Sequence, residues 1–285
     1  MTHEPVKNYY DGYGEREWER LKRPDDGFVE YAVTRKMLSK YLKPKSRILD
    51  IGGGPGRYAM WLAKHGHHVV LADLSPELLK IARAKIDEAG VSANVEEIIE
   101  ADACDLSHWK DNSFDAVLSL GPFYHLIDAD DREKALSELR RVLKPHGVAF
   151  VALIPRYSFL RHALEVPDLR HNLTQPGFVA CVLEQGVFIN DIPGHFTNGY
   201  GVIPEEVPAY FKEHGFTMQA LLSAQGIVPD MQRVLYELEQ SDQTTYQAVL
   251  DIILKTADDP GILGMANHLQ YIGKKDDSPS LVRRD

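Results

Sequence analysis

Short apolar runs alternate along this chain with segments whose apolar residues recur at helical spacing. Between positions 26 and 42, Phe28, Tyr31, Ala32, Leu38, Tyr41 and Leu42 follow the helical period, and Pro44 prevents continuation. A helix leading into the core is expected there. Residues 47–51 read as an apolar strand, a glycine-rich turn follows, and 58–64 read as a helix closed by Gly66. A second strand over 68–72 ends at Asp73. Ser75 is then a natural N-cap with Pro76 at the first helical position, which predicts a helix to about Glu88 that Gly90 ends. Strands follow over 95–100 and 114–120, a charged amphipathic helix over 130–143 stopped by Pro145 and Gly147, and a fifth strand over 148–153.

Strands that alternate with helices imply right-handed crossovers and a parallel sheet covered on both faces, with ligands at the carboxyl ends of the strands. After Leu153 the pattern breaks for roughly fifty residues, longer than a simple connection in a compact domain. Regularity returns with a helix over 205–214 and strands over 216–222 and 268–273, separated by a stretch that looks helical over 232–256. The expected plan is an N-terminal helical cap or lid over 1–45 and one domain over 46–285. That domain carries insertions at about 154–203, read as a substrate lid, and at 224–265.

Composition narrows the choice of partners. With 285 residues, 44% of them hydrophobic, the chain can bury a sizeable core. Lys plus Arg number 32 against 42 Asp plus Glu, and the net charge of -10 repels polyanions, so no nucleic-acid partner is expected. Lys274-Lys275 with Arg283-Arg284 reads as a solvated tail. No stretch approaches the roughly 20 apolar residues of a membrane span, and Met1-Thr2-His3-Glu4-Pro5 lacks the pattern of a signal peptide; the expectation is cytoplasmic residence without a membrane partner. Cys104 and Cys181 give neither a disulfide framework nor a paired metal-ligand spacing, and read as small buried apolar residues. His65-Gly66-His67-His68 spans a helix end and a strand start, where side chains diverge, so no metal is expected. The oligomeric state stays open.

The turn Asp50-Ile51-Gly52-Gly53-Gly54-Pro55-Gly56 brings backbone close to a ligand. Counted from Gly52, a dinucleotide fingerprint needs a third glycine where this chain has Arg57; counted from Gly54, it is met only in the looser form ending at Ala59. An NAD-dependent oxidoreductase therefore stays open on spacing alone. Asp50, however, sets a carboxylate where a pyrophosphate would lie, an unfavourable pairing that a sulfonium and an ammonium would reverse. Asp73 offers two acceptor oxygens to a ribose diol. Asp102 offers an acceptor to an adenine amino group, with the Ala103 amide for a ring nitrogen.

Ile48-Leu49-Asp50-Ile51-Gly52-Gly53-Gly54-Pro55-Gly56, Ala72-Asp73-Leu74-Ser75, Ala101-Asp102-Ala103 and Phe114-Asp115-Ala116-Val117-Leu118 together resemble class I S-adenosylmethionine-dependent methyltransferases. Arg141-Val142-Leu143-Lys144-Pro145-His146-Gly147 is similar to that family's turn before its fifth strand, and His268-Leu269-Gln270-Tyr271-Ile272-Gly273 to its antiparallel last strand. The resemblance implies an α/β, Rossmann-like fold: a mostly parallel seven-stranded sheet with helices on both faces and an inserted helical lid. It implies S-adenosyl-L-methionine as cofactor, with Gly52 and Gly54 against its methionine part, Asp73 on the ribose, and Asp102 with Ala103 on the adenine. Asp50, Leu74 and Leu120 complete the expected cofactor-binding set.

The acceptor edge reads Leu120-Gly121-Pro122-Phe123-Tyr124-His125. Enzymes of this resemblance that methylate planar amino groups show Asn or Asp, two prolines and an aromatic there. Gly121 and the single proline depart from that, and resemble small-molecule methyltransferases that act on oxygen, nitrogen or sulfur. Methyl transfer needs alignment and exclusion of water, and a base only where the acceptor carries a proton. His125 is the candidate general base and Tyr124 a candidate to orient the acceptor. Tyr9, Tyr10 and Tyr13 form an aromatic start that reads either as a lid or as an anchored tail. Phe123, Arg156, Tyr157 and His195 are further candidate substrate contacts, and His162 and His171 are polar groups that join Arg156, Tyr157 and His195 as candidates to line a pocket, though spacing fixes no role for them. Because no base is fixed, a non-catalytic cofactor-binding protein also stays open.

Overall fold

The computed structural model describes residues 3–190, 192, 195–229 and 231–277. Arg283 and Arg284 of the basic tail, and Met1 and Thr2 of the start, lie outside the described residues.

The amino-terminal segment is helical from its first described turn: α1 is Glu4–Tyr13 and α2 is Glu15–Arg20, joined at Gly14, whose φ of 56° turns the chain. The helix expected from the first periodic stretch is α3, Phe28–Tyr41, with Val29, Val33 and Leu38 fully buried. It therefore belongs to the core layer, and only α1 and α2 sit as a cap.

From there the alternation runs as the periodicity predicts: β1 Arg47–Ile51, α4 Arg57–Lys64, β2 His68–Asp73, α5 Pro76–Glu88, β3 Val95–Glu100, β4 Phe114–Ser119, α6 Ala129–Val142 and β5 Leu143–Pro155. The Ser75 hydroxyl accepts the Leu78 N–H at 3.1 Å and caps α5. The expected stop at Lys144 to Gly147 takes the form of an irregular start to β5: His146 has φ of 60°, and the register to β4 shifts between Phe114 and Ala116.

The rest comprises α7 Arg156–Glu165, α8 Pro176–Ala180, β6 Val187–Phe188, β7 Gly199–Val202, α9 Val207–Glu213, β8 Phe216–Ser223, α10 Gln232–Ser241, α11 Gln243–Thr256, α12 Pro260–Met265 and β9 Leu269–Lys275. Strands β3-β2-β1-β4-β5 are parallel; β9 lies antiparallel between β5 and β8. This is the mostly parallel seven-stranded sheet. The hairpin β6–β7 extends it, because β5 continues past the Leu153 to Leu269 pairing and offers Ile154 and Pro155 to Gly201 and Val202.

Alternation along each strand divides the core. Ile48, Val69 and Leu71 face a layer built by α3, α4 and α5, while Leu49, Val70 and Ala72 face one built by α6, α9 and α12. Each such fully buried side chain contributes about 1.5–3 kcal/mol relative to exposure. The two insertions differ. Helices α10 and α11 join the first layer: Tyr236 packs edge-on against Phe28 with ring centroids 5.3 Å apart. The 154–203 stretch forms a small core of its own around Phe159, Ala163, Leu169, Val182 and Phe188.

Cys104 and Cys181 are half-buried rather than buried, since each lies at the edge of its layer, and both are free thiols. Among the described residues no helix is long and apolar enough to cross a membrane.

Candidate functional site

The glycine turn is held open toward the carboxyl ends of the strands by its own backbone. Gly52 and Gly54 have φ of 70° and 55°, and a Cβ at Gly52 would overlap the Pro122 ring. The N–H groups of Gly52 and Gly53 both donate to the Ala72 carbonyl, at 2.7 and 3.2 Å, which ties the turn to the end of β2. One Asp73 carboxylate oxygen accepts the Gly54 N–H and the other the Ser75 N–H, each at 2.8 Å. Each oxygen keeps a lone pair for a ligand.

Asp50 is 1% exposed, and neither of its oxygens has a hydrogen-bond partner. Burial pushes its pKa up to about 7, helped by the negative Asp73; the Ala59 N–H pulls slightly the other way without reaching hydrogen-bond geometry. Burial likewise raises Asp73 to about 6 against the lowering effect of the Ser75 and Gly54 N–H groups. Two neighbouring buried carboxyls, one of them without partners, form a place that favours a cation.

These groups open into a cavity of about 1020 Å³ that also meets Leu74, Asp102, Ala103 and Leu120. All eight residues of the expected cofactor set thus line one space. Its roof is α1. His3 Nδ1 pairs with an Asp102 oxygen at 2.6 Å and Lys7 with Glu100 at 2.6 Å, while the Ser75 hydroxyl donates to Asp11. Arg57, standing where a dinucleotide fingerprint needs glycine, fixes the cap: its guanidinium lies 3.9 Å from the Trp18 ring centroid and its Nε–H donates to the Trp18 carbonyl at 2.8 Å.

A second cavity of about 1210 Å³ adjoins the first, between α1, α2, α7 and the start of β9. The two share Tyr10, Glu17, Arg20 and Tyr124, and Tyr9, Tyr13 and His195 line the second. His125 lines the first and is 6% exposed. The Asn198 carbonyl, 3.0 Å from Nδ1, can only accept, so the proton sits on Nδ1; Nε2 then accepts the Tyr10 O–H at 2.9 Å. Burial lowers the His125 pKa to about 4, which keeps the ring neutral.

Three expected contacts lie elsewhere. Phe123 is 2% exposed and packs against Phe211, 5.9 Å between centroids, in the opposite core layer. The Arg156 guanidinium is spent on the carbonyls of Gly201, Leu183 and Glu184, which anchors the β6–β7 hairpin. Tyr157 is 56% exposed, because it falls on the outer face of α7.

His162, one of the polar groups considered for a pocket, lines the second cavity, and Glu17, Arg20 and His268 line the cavities without having been singled out. In α2 only Trp18 is apolar, so its sequence reads as a solvated helix; the signal for Glu17 and Arg20 would have been their spacing beside that single tryptophan. His3, Asp102 and Cys104 also bring one potential ligand atom each within 4.8 Å. Burial and the Asp102 charge push the Cys104 thiol up to about 12; its S–H donates to the Asp131 carbonyl at 3.4 Å, while His3 pairs with Asp102.

Residues 49–151 match the family model described as a methyltransferase domain. Residues 49–151 are thus a methyltransferase domain, and the fold around them is that of class I S-adenosylmethionine-dependent methyltransferases. The chain is 37% identical over 109 residues to the ubiquinone/menaquinone biosynthesis C-methyltransferase UbiE of Vibrio cholerae, an alignment covering 37% of this chain and 40% of that one. It is 30% identical over 128 residues to the tRNA 5-carboxymethoxyuridine methyltransferase of Escherichia coli K12, covering 45% and 47%. The chain thus spans less than half the length of these curated relatives. Among solved structures, a SAM-dependent methyltransferase from Methanosarcina mazei superposes with a TM-score of 0.57 at 17% identity, covering 84% of this chain and 97% of the other, a likeness of fold.

Proposed function

We propose that the chain transfers a methyl group from S-adenosylmethionine to a small molecule held in the second cavity. The observation that carries this reading is the shared wall: Tyr10 and Tyr124 border both the cavity that contains the unpartnered Asp50 and the cavity beside it.

The residues fit the cofactor. The buried Asp50 oxygens are suited to its cationic end, the spare lone pairs of Asp73 to the ribose hydroxyls, and Gly52 and Gly54 leave room for backbone approach. Asp102 and Ala103 are assigned to the adenine and Leu74 and Leu120 to its apolar surroundings. When bound, the sulfonium supplies an electrophilic methyl carbon for in-line displacement. The chain contributes alignment and exclusion of water: Tyr9, Tyr10 and Tyr13 roof the acceptor, Tyr124 orients it, and His195 closes the rim. Where the acceptor carries a proton, Tyr10 and the neutral His125 behind it form the relay that receives it. One relative acts on carbon, so carbon joins oxygen, nitrogen and sulfur as a possible acceptor atom. The same reading has the enzyme in the cytoplasm.

The test is calorimetry with S-adenosylhomocysteine, followed by detection of its release from S-adenosylmethionine across phenol, thiol, amine, carboxylate and activated-carbon acceptors. Saturable binding, lost in Asp73→Ala and Asp102→Ala, and turnover with one class are expected. No binding by the wild type removes the reading. An RNA acceptor is favoured by the Escherichia coli relative alone, and the net charge of -10 opposes it. Transfer RNA offered in the same assay is expected to give no release.

A further inference from the structure

We infer that the acceptor is an amine that enters the second cavity as a cation; this rests on the methyltransferase reading above. Charge and aromatic surface carry it. On the cap side, Glu17 and Asp26 line the cavity and Glu30 stands behind them. Against these stands the Arg20 guanidinium, whose Nε–H donates to Glu17 at 2.9 Å and whose Nη1 lies 3.3 Å from Glu30. On the far wall Arg161 and Glu165 cancel one another in sign, and the Arg161 donors go to the Met265 and Ala266 carbonyls and to Asn267. His268 Nδ1 approaches Glu30 at 3.3 Å, but burial lowers its pKa and leaves it without a charge to offer.

Three carboxylates therefore face one guanidinium in a space largely withdrawn from solvent. Burial raises the pKa of Glu17 and of Asp26, the mark of carboxylates short of a counter-charge. An incoming cation relieves that shortage. The opposing surface suits it as well: Tyr9 and Tyr13 stack with centroids 5.4 Å apart, Phe196 lies 6.5 Å from Tyr9 and 6.3 Å from Tyr124. Aromatic faces attract ammonium groups. An anionic acceptor would meet the same surplus of negative charge, and Arg20 is already held by two carboxylates.

Glu17 is the one carboxylate, among the described residues, that lines both cavities. An ammonium R–NH₃⁺ held against Glu17 passes one proton through the Tyr10 hydroxyl to His125 Nε2, and the freed lone pair forms the N–C bond as the methyl–sulfur bond breaks and leaves its electron pair on sulfur. The products are an N-methylammonium, R–NH₂CH₃⁺, and a neutral thioether.

The experiment compares three probes with one common body, benzylamine, benzyl alcohol and benzoate, titrated into the full chain saturated with S-adenosylhomocysteine. Benzylamine is expected to bind at least tenfold more tightly than either of the others. Asp26→Asn, which touches only the acceptor cavity, is expected to weaken benzylamine at least tenfold while S-adenosylhomocysteine binding, the check on folding, persists; Tyr13→Leu provides a second variant with the same expectation. Absence of benzylamine binding, equal or tighter binding of benzoate or benzyl alcohol, or indifference to both substitutions overturns the inference. Failure of S-adenosylhomocysteine to bind the wild type overturns instead the methyltransferase reading beneath it.

Discussion

Asp50 exemplifies a residue that costs stability where it supports binding. Its pKa is near 3.8 in an unfolded chain and about 7 in the folded one. Below the unfolded value both states are protonated and nothing is lost; between the two values only the unfolded chain ionises and stability falls with pH, until above about 7 the full penalty, on the order of 4 kcal/mol, is present. Asp50→Asn is therefore expected to raise the melting temperature of the cofactor-free protein at pH 8 by several degrees and to leave it nearly unchanged at pH 4, in thermal scans at both pH values. Because the cofactor favours ionised Asp50, its affinity is expected to fall as pH drops from 8 to 5.5, and Asp50→Asn to bind weakly at every pH. A wild-type affinity independent of pH over that range would remove this account. Gly52→Ala tests the turn itself: a positive φ and an overlap with Pro122 together should destabilise by about 2–3 kcal/mol and abolish S-adenosylhomocysteine binding, as read by melting and calorimetry. These two residues were legible in the sequence because the turn geometry is local. Glu17 and Arg20 were not, because what makes them site residues is a packing of α2 around a space that no short-range spacing encodes.

At the scale of elements, α1 has its outcome set by where its side chains land. It buries no residue fully, so it stays down through polar contacts: His3 to Asp102, Lys7 to Glu100, Asp11 to Ser75 and Tyr10 to His125. The His3 pKa is raised, chiefly by the hydrogen bond to Asp102. A raised histidine pKa means that the contact contributes fully below about 6.5 and is lost as pH rises through the folded value. After correction for intrinsic rates, hydrogen exchange of the α1 amides is expected to be faster at pH 8 than at pH 6, and His3→Ala to remove the difference. Equal protection at both pH values in the wild type would show that the other contacts hold α1 without it. The same contact occupies Asp102, the group assigned to the adenine, so cofactor entry and lid closure draw on one carboxylate. Sequence reading offered either a lid or a tail for the aromatic start; Tyr9, Tyr10 and Tyr13 face the cavities because Arg57, in the glycine turn, secures α2 through Trp18. A tyrosine lid test follows directly. Tyr10→Phe frees His125 Nε2, and is expected to lower turnover at least tenfold with S-adenosylhomocysteine affinity unchanged within about threefold, as read by steady-state rates and calorimetry.

Over the whole molecule, the seven-stranded sheet was legible because period-two apolar strands, Ser75 and the glycine and proline stops are all local signals, and because crossover handedness leaves few ways to assemble them. The insertions were legible only as interruptions. One completes the main core and the other builds a satellite. Helices α10 and α11 bury Leu235, Tyr246, Leu250 and Ile253 against α3, whereas the 154–203 stretch packs mostly on itself and meets the rest through Ile154 and Pro155, the Arg161 bonds to Met265, Ala266 and Asn267, and the Asn198 carbonyl at His125. The two should therefore open separately. Amides of α11 are expected to exchange near the global unfolding free energy, together with those of β1 and β4. Those of α8, β6 and β7 are expected to exchange through a partial opening several kcal/mol below it. Adding S-adenosylhomocysteine should slow exchange in the turn after β1 and in α1, while α7, which lines the acceptor cavity, responds when an acceptor is added. Uniform protection across both insertions would mean that the satellite core is as firmly joined to the sheet as α3 is, and that the acceptor cavity is not gated by it.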